Sequence, residues 1–186
     1  MNSPRDARII QMLNHFRVLS RYQLEKIVFP NLKSATVTAN RVLKRLERDG
    51  YILQIPQPKD RPYLYMPNPA RMHHQSSKIE HFLGIADLFI RMGQPQVFEV
   101  EPQITDSYRP DAYMVKDNRH AIIEYQRTII SHKKMQHKVD EFVAAYNSGR
   151  HNCKTLLIVT DYRYNVTVPT SFKVVQLAKT EKAPSA

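Results

Sequence analysis

Between Ser34 and Gly50 the sequence SATVTANRVLKRLERDG sorts its residues by side. At about 100° per residue, Ala39, Val42, Leu43 and Leu46 share roughly one third of a helix circumference, and Thr38, Arg41, Lys44, Arg45 and Arg48 lie across from them. A chain that contains this helix must bury one face and leave a cationic face in water or against an anion. A solvated face is the commoner meaning of a charge run. Glu47 and Asp49 lie to the sides, however, so the cationic face carries no balancing acid of its own.

The flanking residues place this helix third in a small unit. Ser3 precedes Pro4, and Ile9, Ile10, Leu13 and Phe16 follow at helical spacing, which predicts a capped first helix. Ser20 can cap a second helix through Tyr22, Leu24, Ile27 and Val28, ended by Pro30. Gly50 closes the third at the position of a left-handed cap. Tyr51–Ile55 and Tyr63–Met66 read as two strands joined by the charged, proline-rich turn 56–62. Three helices and a hairpin, with a basic outer face on the last helix, outline a winged helix-turn-helix. In that fold Arg41, Lys44, Arg45 and Arg48, with Ser34, Thr38 and Asn40, would face base edges in the major groove. Lys59 and Arg61 in the turn would meet phosphate or the minor groove.

Charge distribution agrees with that placement. The chain has 28 Lys and Arg against 17 Asp and Glu, a formal net charge of +11 over 186 residues. Residues 1–70 hold twelve cations and five acids, and the remainder sixteen and twelve. A polyanion, here double-stranded DNA, is the expected partner. At 42% hydrophobic residues the chain has the composition of a folded protein. One cysteine, Cys153, excludes an internal disulfide and four-cysteine zinc sites and points to a reducing compartment. Arg5, Asp6 and Arg8 near the N-terminus do not fit a signal peptide, and no apolar run reaches membrane-spanning length. A cytoplasmic, nucleoid-associated protein with no membrane partner is expected.

The stretch from Met66 to Ser77 has two prolines and little apolar periodicity. It predicts a winged-helix domain at 1–68, a linker at 69–76, a second domain at 77–178 and a flexible tail at 179–186. In the second domain, 77–92 is apolar around most of a helix circumference. Strand patterns follow at 96–101, 112–116 and 120–125, with Asp117-Asn118 as a turn. A helix is expected over Ser131–Tyr146, with Met135, Val139, Phe142, Val143 and Tyr146 inward, closed by Gly149. Apolar strands at 155–160 and 172–177 complete the order α-β-β-β-α-β-β, a mixed sheet with one crossover.

Within that order Arg109-Pro110-Asp111 precedes one strand and Glu124-Tyr125-Gln126 closes the next. Here the sequence resembles the PD-(D/E)xK nuclease superfamily, which implies a restriction-endonuclease-like mixed α/β domain after the winged helix. The resemblance implies Asp111 and Glu124 as Mg²⁺ ligands, Glu80 as an additional acid ligand, and Gln126 at the position of the usual lysine. Two hard oxygen ligands suit Mg²⁺, and a lysine positions water and offsets phosphate charge. Glutamine cannot supply charge, so Lys134, with Arg127 and Lys138 as alternatives, is expected to substitute. The competing reading is a non-catalytic platform for DNA binding or dimerisation.

The succession of the two domains, with the stretches Leu43-Lys44-Arg45-Leu46 to Gly50-Tyr51-Ile52 and the helix after His73-His74, resembles the replication-relaxation family of bacterial plasmids, integrative elements and phages. That resemblance implies a role in replication, transfer or their regulation, with replication or transfer proteins as further partners; a second copy of the chain is the partner expected if the second domain is a dimerisation platform. His73, His74, Glu80 and His81 match no zinc-ligand spacing. With four glycines and no Gly-x-x-x-x-Gly-Lys run, a phosphate-cradling loop is not expected, and no serine-hydrolase elbow is present.

Overall fold

In the computed structural model, residues 3–180 are described; Met1, Asn2 and residues 181–186 of the expected tail lie outside the described residues. The described residues are mixed α+β, with five helices and two sheets, and the chain divides into units 1–90 and 91–186.

In the first unit, α1 (Pro4–Phe16) starts where Ser3 Oγ accepts the Asp6 N–H at 3.2 Å. Next come β1 (Leu19–Ser20) and α2 (Arg21–Val28). Ser20 Oγ accepts from Gln23 N, and Gln23 Oε1 accepts from Ser20 N, a capping box that satisfies donors at both ends of the turn. Helix α3 (Ala35–Arg48) begins after Ser34, whose side chain makes no cap bond, and stops at Gly50, held at φ +77°. The hairpin of β2 (Ile52–Ile55) and β3 (Leu64–Pro67) takes β1 on its free side, giving the antiparallel order β1-β3-β2. Ile9, Leu13, Phe16, Leu24, Ala39, Leu43, Leu46 and Ile52 are buried.

Helix α4 (Ile79–Arg91) lies almost wholly within this unit, although the expected boundary at 69–76 assigned it to the second. Its attachments explain the difference. Phe89 packs 5.2 Å from the Phe16 ring, Arg17 sits over the Phe82 ring, and buried Gln23 donates to Leu83 O and Asp87 Oδ1 at 2.8 and 2.7 Å.

The second unit contains β4 (Val97–Val100), β5 (Ala112–Lys116), β6 (Arg119–Tyr125), α5 (His132–Asn147), β7 (Thr155–Val159) and β8 (Lys173–Leu177). The strands lie in sequence order: β4, β5 and β6 are antiparallel, and β6, β7 and β8 are parallel. Asp117 and Asn118 both take positive φ in the β5–β6 turn, as a two-residue primed turn requires. Helix α5 is the crossover between parallel β6 and β7. It buries Met135, Val139, Phe142 and Ala145 against Ile122, Leu156 and Ile158. Ala145 completes the buried stripe, while Tyr146 stands half-buried beside Phe172 and His151. No helix among the described residues is long and apolar enough to cross a membrane.

Candidate nucleic-acid interface and acidic pair

Because the apolar side of α3 is committed to the core, its other side is fixed outward. Ser34, Asn40, Arg41, Lys44 and Arg48 are exposed there and Thr38 is half-exposed. Among the described residues Arg41 and Lys44 have no ion-pair partner. Arg48 donates from Nε and Nη2 to its neighbour Asp49 at 3.0 and 2.9 Å, on the surface.

Arg45 differs from the expectation. Its Nη2 donates to Oδ1 of Asp6 at 2.7 Å, and the Asp6 side chain is 1% exposed. That hydrogen bond holds the guanidinium above its ordinary pKa. An ionised carboxylate in the core must be paired, so Arg45 ties α3 to α1 and is already engaged within the fold. The signal was present in the sequence: Asp6 stands three residues before Ile9 and seven before Leu13, on the apolar stripe of α1.

Lys59 and Arg61 project from the exposed β2–β3 turn, which the Arg61 N–H closes onto Pro58 O at 2.9 Å. Beside them lies an open depression that also includes Arg21, Tyr22 and Tyr63. Tyr22 and Tyr63 are 52% and 48% exposed, so Tyr22, expected with Leu24 and Ile27 on the apolar side of the second helix, stands outward instead.

At the other candidate site, register brings the two acids together. Ala112 pairs with Ile123, so Asp111, the residue before β5, comes level with Glu124 of β6. The Tyr125 N–H donates to Asp111 Oδ2 at 2.7 Å. Glu124 is 1% exposed, and Lys138 of α5 donates to its Oε2. Burial pushes the Glu124 carboxyl up, Asp111 pushes it further, and Lys138 opposes both. Burial lowers Lys138, but the two carboxylates outweigh it and its pKa is raised.

Of the cations offered to offset charge here, Lys138 reaches Glu124, whereas Lys134 is exposed in the first turn of α5. Gln126 is 8% exposed and its N–H donates to Val159 O at 2.8 Å. The Tyr108 hydroxyl is buried and has no hydrogen-bond partner among the described residues; burial, then Glu124, Glu141 and Asp111, raise its pKa. Glu80 is exposed on the first turn of α4, in the first unit. Among the described residues no group of three or more His, Cys, Asp or Glu is placed to hold a metal. The Asp111–Glu124 pair still suits Mg²⁺ as a donor set, since that ion is commonly held by one or two carboxylates with water and phosphate.

Comparison with protein-family models, curated proteins and solved structures finds no match to this chain.

Proposed function

We propose that the protein binds double-stranded DNA through its first unit, read as a winged helix-turn-helix. The reading is supported by the order α1-β1-α2-α3-β2-β3 with its three-stranded antiparallel sheet. The single observation that carries it is the outer face of α3, where Arg41 and Lys44 stand exposed beside small polar residues and, among the described residues, make no ion pair. In the major groove such a face offers Arg to guanine and Asn to adenine. The turn cations Lys59 and Arg61 contact phosphate. The resemblance to the replication-relaxation family gives the process: replication or transfer of a plasmid, phage or integrative element, or its regulation, in the cytoplasm.

Replacing Arg41 and Lys44 by Ala is expected to weaken duplex binding by tenfold or more, taking about 1 kcal/mol or more from each contact. Replacing Lys133 and Lys154, exposed in the second unit, leaves duplex binding within about twofold. Equal losses from both pairs, measured by fluorescence anisotropy, would refute docking through α3.

One observation favours a second reading, a Mg²⁺-dependent endonuclease. Lys138 reaches the buried acid of a carboxylate pair, with the unpartnered Tyr108 hydroxyl buried nearby. Asp111 and Glu124 would hold the metal, which supplies Lewis-acid activation of water and phosphate when bound. Lys138 provides the positive charge that Gln126 lacks, and Gln126 can orient water by hydrogen bonding. Plasmid cleavage that requires Mg²⁺ or Mn²⁺ and disappears in Asp111→Ala and Glu124→Ala supports this reading; cleavage unaltered by both removes it.

A further inference from the structure

The sheet of the second unit has two faces, and α5 covers one of them. Alternation sends Ile122, Leu156 and Ile158 to the helix and their neighbours Ala121 and Leu157 to the other side. There Met92, Met114, Ala121, Leu157 and Val175 floor a cavity of about 330 Å³. Cations flank the floor. Lys116 closes β5 directly opposite Arg119 of β6, and on the far side Lys173 pairs with Thr155. All three cations are exposed, and among the described residues none makes an ion pair. Asp117 is the single acid of the lining.

This arrangement costs stability. Like charges directly opposite on neighbouring strands repel. Here that repulsion sits at the end of a strand pair, where an acid at either position would relieve it. An anion seated between Lys116, Arg119 and Lys173 reverses the sign of the interaction. The floor narrows the choice of anion. Its aliphatic and thioether groups favour a flat apolar body, and methionine sulfur makes favourable contacts with aromatic rings. A duplex keeps its base faces stacked inside and offers only phosphate and sugar to such a cavity. A single strand offers both an unstacked base and repeated phosphates.

We propose that this cavity binds a segment of single-stranded nucleic acid, with a base on the Met114–Val175 floor and its flanking phosphates on Lys116, Arg119 and Lys173. The inference goes beyond the duplex-binding reading and does not depend on it. A protein that recognises a duplex through one unit would thereby hold an exposed strand through the other.

The test uses the full chain, fluorescein-labelled oligo(dT) and a labelled duplex of the same length. Lys116→Glu with Lys173→Glu is expected to weaken oligo(dT) binding by about tenfold or more, since phosphate contacts and one stacked base are lost together. Duplex binding stays within about twofold. Lys116→Glu alone converts the repulsion with Arg119 into attraction, so Tm rises by about 1–3 °C as binding falls. A gain in stability with a loss of binding is not the behaviour of a merely structural residue. Met114→Ala, which leaves every charge in place, weakens oligo(dT) several-fold, and it carries the test should the double variant fail to fold. The proposal is overturned if the wild-type chain does not bind oligo(dT), or if the variants bind it normally. It is equally overturned if oligo(dT) and duplex weaken together, which marks bulk charge, or if poly-glutamate displaces oligo(dT) as well as unlabelled strand does, which marks an acidic-peptide site. Loss of duplex binding in the α3 variants alone bears only on the first unit.

Discussion

Asp6 and Arg45 set the terms on which α3 can act. A carboxylate with 1% exposure stays ionised only against a partner, and the partner comes from the edge of the helix that carries the DNA-facing cations. Arg45→Gln is therefore expected to lower Tm by several degrees while leaving the salt dependence of duplex binding almost unchanged. Arg41→Ala should do the reverse, and thermal melts beside salt titrations separate the two. His151 makes a second residue-scale case. Its Nδ1 accepts the Cys153 N–H at 3.2 Å, its Nε2 faces Phe142 O at 3.1 Å, and its ring stacks on Phe142. Burial lowers its pKa, and the Nδ1 bond needs an unprotonated nitrogen. Above the unfolded value of about 6.5 both states hold a neutral ring and the stabilisation is complete; as pH falls through the lowered folded value it is lost. Urea midpoints of wild type and His151→Gln should converge between pH 7.5 and pH 5, and a constant gap would show that His151 does not titrate there.

At the scale of elements, α2 shows how a short helix is held by its cap and its docking. Eight residues are too few to hold a helix in isolation, so its cap and its docking decide its stability. Ser20→Ala removes one cap bond and is expected to cost about 1 kcal/mol. Gln23→Ala removes the reciprocal cap bond and both bonds to α4, leaving Leu83 O without that donor. Its cost should be larger, about 2–3 kcal/mol in urea unfolding. Elements were legible in the sequence where periodicity and punctuation agreed: α3 ends at the Gly50 signal, and the Asp117-Asn118 pair makes the β5–β6 turn. β1 was not, because two residues, Leu19 and Ser20, cannot display alternation and exist as a strand only by pairing with β3. Spacing could have ranked the lysines of α5. Lys138 falls within the sector spanned by Ala145 and Val139, whereas Lys134 lies just outside it and one turn nearer the helix end. The approach of Lys138 to Glu124 depends on the crossover that lays α5 over β6 and β7, which no local pattern encodes.

For the whole molecule, a net charge of +11 favours a polyanionic partner without saying which cations act. Side-chain partners sort them. Arg45 is held by Asp6, Arg48 by Asp49, Arg21 by Glu25 and Lys179 by Asp161. Of the first unit's other cations, Arg41 and Lys44 on α3 and Lys59 and Arg61 on the hairpin turn, all exposed, are the four placed on the proposed duplex-facing surface. Each phosphate neutralised contributes about −0.9 to the slope of log affinity against log salt, so these four predict about −3.6 for duplex binding by the full chain. Removing the two α3 cations should bring the slope to about −1.8, whereas Lys116→Glu with Lys173→Glu should leave the duplex slope near its original value and flatten that for oligo(dT). A duplex slope approaching −10 in the wild type would mean that the whole basic excess meets the phosphates, and the division of labour between a duplex-reading helix and a strand-holding sheet would then fail.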